Sequence, residues 1–314
     1  MAHTTQRTLA SPLLRGLAAL GAALAALIGA PAGAQDKPVA LKLSSWVPAQ
    51  HALNPALAAW GADTSSPAVG TFTPHTPGVL TVATSSVPSA GFWEGTPSHP
   101  TGGLEYELAR DLADRFGLGS VRVKLVHFHQ IVSGRLDGAD LALALITPTA
   151  ERGQFLDFSA PYLDAAPTVI VRRGTAVPDL STAQDLRWGA VRATTFVSTI
   201  QTAIAPALSL RIYDSSAEML AALKNHEIDA ALLDMPQAVV TAQRSRGALA
   251  AVAQLPESES IAAPLPKGSS NGEAVDSAMR AFTADGTLTS LLRRWVGPAA
   301  ADAQSSIPLL HSTR

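Results

Sequence analysis

The clearest pattern in the chain is a short run of apolar residues that ends in a polar turn. Asp140 is followed by six apolar residues at 141–146, and Thr147 and Pro148 come directly after them. A continuous apolar run of this length is typical of a strand that is buried on both faces of a parallel sheet. Thr147 then stands where a helix N-cap belongs, with Pro148 at the first helical position. The pattern predicts a buried strand and then a short helical turn that carries Arg152.

Two later segments repeat this order of apolar run and polar residue. One run ends shortly before Thr194 and Thr195, which precede a predicted helix over 196–208. The other, over 228–233, predicts a strand that ends on Asp234. Strands and helices therefore alternate along this part of the chain, which favours an α/β fold with mainly parallel sheets.

The first predicted helix supports the same fold class. Leu104, Leu108, Leu112 and Phe116 are spaced four residues apart, so they form one apolar stripe on a helix that Gly117 would end. Such a stripe packs against a sheet. A capping-box spacing, Ser215 to Glu218, predicts another helix start further along the chain.

The polar residues at the three strand ends suggest a binding site. In open α/β sheets, ligands bind outside the carboxyl ends of the strands. Arg152 could hold a carboxylate there, the helix N-terminus at Thr194 and Thr195 could bind an anion, and Asp234 could accept a cation. Each residue also has a structural interpretation: a surface ion pair for Arg152, an N-cap for Thr195, and a turn residue for Asp234. Taken together, they predict a site for a small zwitterion.

Several motifs in order give the chain a resemblance to the family 3 extracellular solute-binding proteins of bacterial ABC importers, the amino-acid-binding group. The resemblance spans about Gly78 to Gly297. The motifs are Gly78-Val-Leu-Thr-Val-Ala-Thr, Gly103-Leu-Glu-Tyr-Glu-Leu-Ala, Thr147-Pro-Thr-Ala-Glu-Arg152, Phe158-Ser-Ala-Pro-Tyr162, Thr194-Thr195, Asp229 to Asp234, and Asp285-Gly-Thr-Leu288 leading to Trp295.

The resemblance implies a two-lobed type II periplasmic-binding-protein fold with a two-crossing hinge. It also implies roles for four residues. Arg152, with help from Thr147 and Thr195, would hold the ligand α-carboxylate, and Asp234 would hold the α-amino group.

The expected domain organisation follows from the same resemblance. It comprises a signal peptide at 1–34, an N-terminal extension and linker at 35–77, lobe 1 at 78–168 plus 262–297, lobe 2 at 174–256, and a C-terminal tail at 298–314. The crossings between the lobes are expected near 169–173 and 255–265. Within the extension, residues 38–64 resemble the opening strand and helix of tripartite-transporter solute-binding proteins.

Some positions depart from the family pattern. Phe92 and Trp93 follow the first strand where relatives have an aromatic-rich loop, and they would either form an aromatic wall over the ligand side chain or pack in the core. Glu105 and Ala160 replace the more usual Asp, and Ala193 stands where relatives usually have Gly. The ligand side chain is therefore not predictable from the sequence.

Composition limits the cellular location and the partners that can be expected for the protein. Residues 1–34 carry Arg7 and Arg15, an apolar core and an A-x-A site, as a cleaved signal peptide does. The absence of Cys excludes disulfides, thiolate metal sites and a lipid-modified Cys, so a freely diffusing periplasmic protein is expected. The net charge of −2 and the 15% of charged residues suggest no nucleic-acid partner. We expect no cofactor, an inner-membrane ABC permease as partner, and a monomer.

Other functions remain open at this point. His127 and His129 fall on one side of a predicted strand, but no third metal ligand accompanies them. The Gly103-Leu-Glu-Tyr-Glu-Leu-Ala motif is also similar to the solute-binding domain of membrane-bound lytic transglycosylases. The alternatives to a transport protein are a periplasmic enzyme of the cyclohexadienyl or arogenate dehydratase type and a sensory binding protein for muropeptides.

Overall fold

The computed structural model describes residues 71–297 and 306–311. All of these residues belong to one compact unit. The predicted signal peptide, the strand and helix expected within 38–64, and most of the C-terminal tail lie outside the described residues. Within the described part, no helix is both long enough and apolar enough to cross a membrane.

The secondary structure alternates between strands and helices as predicted. In chain order the elements are β1 (Val79–Thr84), β2 (Glu94–Thr96), β3 (His99–Gly102), α1 (Leu104–Arg115), β4 (Ser120–Leu125), α2 (Phe128–Val132), β5 (Leu141–Ala142), a 3₁₀ turn (Arg152–Gln154), β6 (Leu156–Ala165), β7 (Pro167–Arg172), α3 (Leu180–Gln184), β8 (Trp188–Val191), α4 (Thr195–Thr199), a π-helical turn (Ile200–Ile204), β9 (Arg211–Tyr213), α5 (Ser216–Lys224), β10 (Ala230–Asp234), α6 (Met235–Arg244), β11 (Leu249–Gln254), β12 (Glu259–Pro266), α7 (Gly272–Ala284) and α8 (Thr287–Trp295).

The first sheet is parallel, with β1 between β4 and β5. The predicted stripe of α1 packs into its core, where Leu104, Leu108 and Leu112 are at most 2% exposed. Helix α7 supplies Val275, Ala278, Met279 and Phe282 to the same core. This core packs against β1 and the start of α1, and Thr84 at the end of β1 and Glu105 in the first turn of α1 line the cleft described below.

The second sheet has five strands in the order β11-β7-β10-β8-β9. Strands β10, β8 and β9 are parallel neighbours, whereas β7 runs antiparallel to both β10 and β11. The predicted α/β class is confirmed, with parallel pairing throughout the first sheet and in half of the second. The end of β10 therefore lies beside the end of β8, which brings Asp234 towards the start of α4.

Two connections join the sheets. Strand β6 pairs antiparallel with β12, and only Ala166 separates β6 from β7 of the second sheet. The return path covers residues 255–258, between β11 and β12. The sequence placed the first passage at 169–173, but these residues form most of β7 and its end. The sequence gives little sign of this passage, because β6 and β7 follow each other with only Ala166 between them.

The expected strand over 141–146 is shorter than predicted. Strand β5 comprises only Leu141 and Ala142, and Leu145 has a positive φ of 52°, which ends the extended conformation. Thr147 is not a helix N-cap, since the turn that follows is a 3₁₀ turn whose N-cap is Glu151. The local interpretation was wrong here because the buried carboxylate of Glu105 holds the Leu145 N–H, a long-range contact.

The predicted helix over 196–208 is also shorter. Helix α4 begins at Thr195 and continues into a π-helical turn that ends at Ala205, which has a left-handed φ of 52°. Pro206 follows, and a proline disfavours the α conformation of the residue before it. The sequence predicted the start of this helix to within one residue but missed the stop.

Candidate functional site

The carboxyl ends of strands from both sheets face one cleft, with about 790 Å³ of empty space including its open mouth. The first sheet contributes Thr84 at the end of β1 and the loop after β5, and the second contributes Val191 and Asp234 at the ends of β8 and β10. This is the position at which open α/β sheets bind ligands.

Most of the predicted site residues line this cleft. They are Trp93, Thr147, Arg152, Thr194, Thr195 and Asp234. Trp93 is only 1% exposed and belongs to the core beside the first sheet as well. Phe92 belongs to the same core at 0% exposed, but it does not line the cleft. Its carbonyl oxygen accepts hydrogen bonds from the N–H groups of Glu105 and Tyr106, so Phe92 supports the first turn of α1.

Arg152 bridges the two sides of the cleft. Its Nη1 donates to the carbonyl oxygen of Thr147 at 2.5 Å, and its Nη2 donates to that of Ala193, beyond β8, at 2.9 Å. The guanidinium also lies 5.5 Å from the centre of the Phe128 ring. The residue is only 6% exposed. Burial lowers its pKa, although the negative charge of Glu259 acts in the opposite direction. Arginine stays charged under such conditions, so a desolvated cation faces the cleft.

The suggested surface ion pair between Arg152 and Asp157 does not form. Asp157 instead accepts hydrogen bonds from Lys267 and from the N–H of Gly268, and these contacts lower its pKa. Arg152 is therefore held by backbone carbonyls, which leave its positive charge without a directly bonded carboxylate.

The hydroxyls of Thr147 and Thr195 converge on a residue that the sequence did not single out. Both donate to Oε2 of Glu259, at 2.5 Å and 2.8 Å respectively. Thr147 follows the first sheet, Thr195 begins α4 of the second, and Glu259 is the first residue of β12. Glu259 stands more than 60 residues from either threonine in the chain, and no local pattern marks it.

Asp234 is a buried carboxyl group at the end of β10, on the side of the cleft opposite Arg152. It is 5% exposed. Burial, together with the negative charges of Glu259 and Glu105, raises its pKa to about 8, although Arg152 acts in the opposite direction. At neutral pH the Asp234 carboxyl group therefore holds a proton, which an incoming cation can replace.

Glu105 is a second buried acid that the sequence recorded only as a departure from the family pattern. Its carboxylate accepts hydrogen bonds from Trp93 Nε1 at 2.7 Å, from the Leu145 N–H at 2.9 Å and from the Tyr162 hydroxyl. Burial raises its pKa despite these donors. A signal was present in the sequence, because position 105 adjoins the apolar stripe of α1 and is therefore expected to be buried.

His127 and His129 lie at the start of α2, so the strand predicted for them was wrong, and they form a stacked pair with ring centres 5.7 Å apart. Among residues 71–297 and 306–311, no group of three or more His, Cys, Asp or Glu side chains is arranged to hold a metal ion. The chemistry of the cleft thus rests on one buried cation, converging hydroxyl donors and buried acids. This set can bind a carboxylate and a cation side by side.

The model of the bacterial extracellular solute-binding proteins, family 3, matches residues 80–298. One curated relative is the L-cystine-binding protein TcyJ of Escherichia coli K12, which is 25% identical over 62% of this chain and 74% of its own length. Another is the membrane-bound lytic murein transglycosylase F of Pseudomonas fluorescens, 35% identical over 35% of this chain. The aligned part is only 22% of that protein's length.

Solved structures show the same fold. An amino acid ABC transporter substrate-binding protein from Streptococcus pneumoniae, bound to L-arginine, has a TM-score of 0.62 at 26% identity and covers 70% of this chain and 94% of its own. An ancestral arginine-binding protein bound to glutamine has a TM-score of 0.63 at 23% identity, covering 71% of this chain and 100% of its own. The family match extends over most of the chain and includes every residue of the cleft. The chain therefore belongs to the bacterial extracellular solute-binding proteins of family 3 and has their type II periplasmic-binding fold.

Proposed function

We propose that the protein is a periplasmic solute-binding protein that captures an amino acid or a similar small zwitterion and delivers it to an ABC importer. The observation that carries this proposal is the pairing of a buried cation, Arg152, with a buried acid, Asp234, across one cleft. The names of two similar proteins agree with it, since one is an L-cystine-binding protein and another was crystallised with L-arginine.

In this proposal Arg152 and the hydroxyls of Thr147 and Thr195 hold the ligand carboxylate. Thr194 lies at the N-cap of α4 and contributes to the same wall of the cleft. Asp234 accepts the ligand ammonium, and Trp93 provides an aromatic surface. Charge-assisted hydrogen bonds of this kind are the strong ones in proteins, so the two ends of a zwitterion fix its orientation.

Binding would involve closure of the two sides about the short connections at Ala166 and 255–258. Hinge closure around the ligand is a known transition of periplasmic binding proteins. Because Thr147 and Thr195 lie on opposite sides of the cleft, a ligand that contacts both would stabilise the closed form.

The first test is isothermal titration of residues 35–314, refolded to remove carried-over ligand, against the common amino acids, including L-arginine and L-cystine. We expect micromolar binding of at least one α-amino acid. Arg152→Ala should weaken it by tens- to thousands-fold, about 2–5 kcal/mol, because a desolvated carboxylate would lose its partner. Asp234→Ala should also weaken it.

The matched control is Arg280→Ala, which removes an exposed arginine that pairs with Asp276 on α7. It should leave the affinity unchanged. Unchanged affinity in Arg152→Ala would refute the assigned carboxylate site, and binding restricted to acids that lack an amino group would remove Asp234 from its role.

The cellular location and the partner of the protein form part of the same proposal. A cleaved signal peptide would send the chain to the periplasm, where it would act as a monomer and present its closed form to an inner-membrane permease. Detection of the mature N-terminus at Gln35 in a periplasmic extract would test the export step. Permease and ATPase genes beside the coding gene would favour transport, and their absence would favour a sensory role.

One observation favours a second candidate, a dehydratase-like enzyme. Such an enzyme needs a carboxylic acid in its cleft to protonate a leaving hydroxyl, and Asp234, with a pKa of about 8, is such an acid. Incubation of the purified protein with prephenate distinguishes the two candidates. Turnover that is lost in Asp234→Asn would support the enzyme, and absence of turnover would leave binding as the function.

A further inference from the structure

The site proposed for the ligand carboxylate already holds a carboxylate of the protein. Oε2 of Glu259 accepts hydrogen bonds from both Thr147 and Thr195, the two hydroxyls assigned to the ligand. Of the negative charges that raise the pKa of Arg152, that of Glu259 has the largest effect. Its carboxylate thus has the same partners, in the same cleft, that an α-carboxylate would use.

Two N–H groups of the Arg152 guanidinium in this subsite also have hydrogen-bond partners. Both ends of the Arg152 guanidinium donate to backbone carbonyls, one on each side of the cleft. An incoming carboxylate would therefore enter a site in which the cation and both hydroxyls have partners. A second carboxylate beside that of Glu259 would also meet like-charge repulsion in a poorly solvated site.

We propose that Glu259 is a built-in competitor that occupies the carboxylate subsite and must leave it when a carboxylate ligand binds. This inference rests on the proposed function. It makes Glu259 a specificity-determining residue, because a ligand that carries a carboxylate has to displace Glu259 and a ligand that lacks one does not.

The position of Glu259 allows this exchange. It is the first residue of β12 and is only partly buried, and the preceding residues 256–258 are exposed, so its side chain can turn towards solvent. The same oxygen also links residues from both sides of the cleft.

The first experiment compares wild type and Glu259→Gln by isothermal titration with L-arginine and with agmatine, which lacks the carboxylate. Gln has the same size but cannot supply a competing anion. We expect the variant to bind L-arginine about tenfold more tightly, the effect of one charge-assisted hydrogen bond that no longer competes, and to bind agmatine no more tightly. Glu257→Gln, an exposed glutamate two residues away, is the matched control. Equal or weaker L-arginine binding by Glu259→Gln would overturn the proposal.

The second experiment needs no amino acid ligand. Glu259→Ala empties the carboxylate position, so acetate should stabilise this variant against heat, whereas acetamide or chloride at equal concentration should not. Wild type and Glu257→Ala should respond to none of them. If no protein binds any amino acid but acetate rescues Glu259→Ala selectively, the proposed function fails and the role of Glu259 stands. If acetate and acetamide act equally, the role of Glu259 is refuted.

Discussion

The buried carboxyl of Asp234 gives the empty protein a specific dependence of stability on pH. Its pKa rises from the ordinary value of 3.8 to about 8 because burial and the charges of Glu259 and Glu105 outweigh the attraction of Arg152. Asn has a similar shape and cannot ionise. Asp234→Asn should therefore stabilise the ligand-free protein at alkaline pH and have little effect at acid pH.

The sign and the size follow from proton linkage. Between about pH 4 and pH 8 the folded state binds the Asp234 proton more tightly than the unfolded state, so the stability contributed by this group falls as pH rises. The shift spans roughly four pH units at about 1.4 kcal/mol each, which gives an upper limit of about 6 kcal/mol. The advantage of the variant over wild type should grow through this window and level off above pH 8.

Urea unfolding of ligand-free wild type and Asp234→Asn from pH 4 to pH 9 measures this difference directly. Titrating groups that do not interact with Asp234 contribute equally to both proteins and cancel. Asp185→Asn, at an exposed helix end, is the control and should follow wild type at every pH. Parallel wild-type and Asp234→Asn curves between pH 5 and pH 8 would show that Asp234 ionises normally, and the argument from burial would be refuted.

Four further changes have predictable results. A ligand ammonium beside Asp234 should favour the ionised carboxylate, so amino acid binding at pH 7 should release close to one proton. The buffer takes up this proton, and the heat of binding measured by calorimetry should therefore differ between phosphate and Tris. Equal heats in the two buffers would contradict this. Glu105→Ala should cost about 3 kcal/mol in urea unfolding, because the Leu145 N–H and the Tyr162 hydroxyl would lose their acceptor. A loss below about 1 kcal/mol would contradict that role. Gly103→Ala should prevent stable folding or lower Tm strongly, because φ of Gly103 is 114° and the added Cβ would lie 2.2 Å from the Phe92 carbonyl oxygen. A variant with the Tm of wild type would be inconsistent with this geometry. Asp229→Asn should destabilise the protein at neutral pH, because hydrogen bonds from Arg187 and Arg172 lower the pKa of this carboxylate. In urea unfolding, the difference in stability between this variant and wild type should shrink as pH falls below about 4.

The sequence predicted the parts of the site that depend on local order. Asp234 and Thr195 stand at strand and helix ends because an apolar run stops just before each of them. Arg152 was placed correctly beyond β5, yet the turn that carries it is a 3₁₀ turn without a Thr147 cap. The hydrophobic pattern determines which strands are buried, whereas the conformation of a loop is set by contacts that the local sequence does not contain.

The missed residues are those whose environment comes from distant parts of the chain. Glu259 meets Thr147 and Thr195 only because β12 returns beside β6. The partners of Glu105 include Trp93, Leu145 and Tyr162, which come from three other segments. A buried acid is costly without partners, and its partners become visible only when the fold is known.

The two connections between the sheets also affect the order in which the protein can fold during synthesis. The strands of the five-stranded sheet come from the continuous stretch 167–254, so all of them are available before β12 leaves the ribosome. The core beside the three-stranded sheet needs Ile261 and Phe282 as well as Leu80 and Leu108. The segments of this core that are translated first, including β1 and α1, must therefore wait for β12 and α7, which are translated after the whole five-stranded sheet, and their apolar surface stays exposed until then.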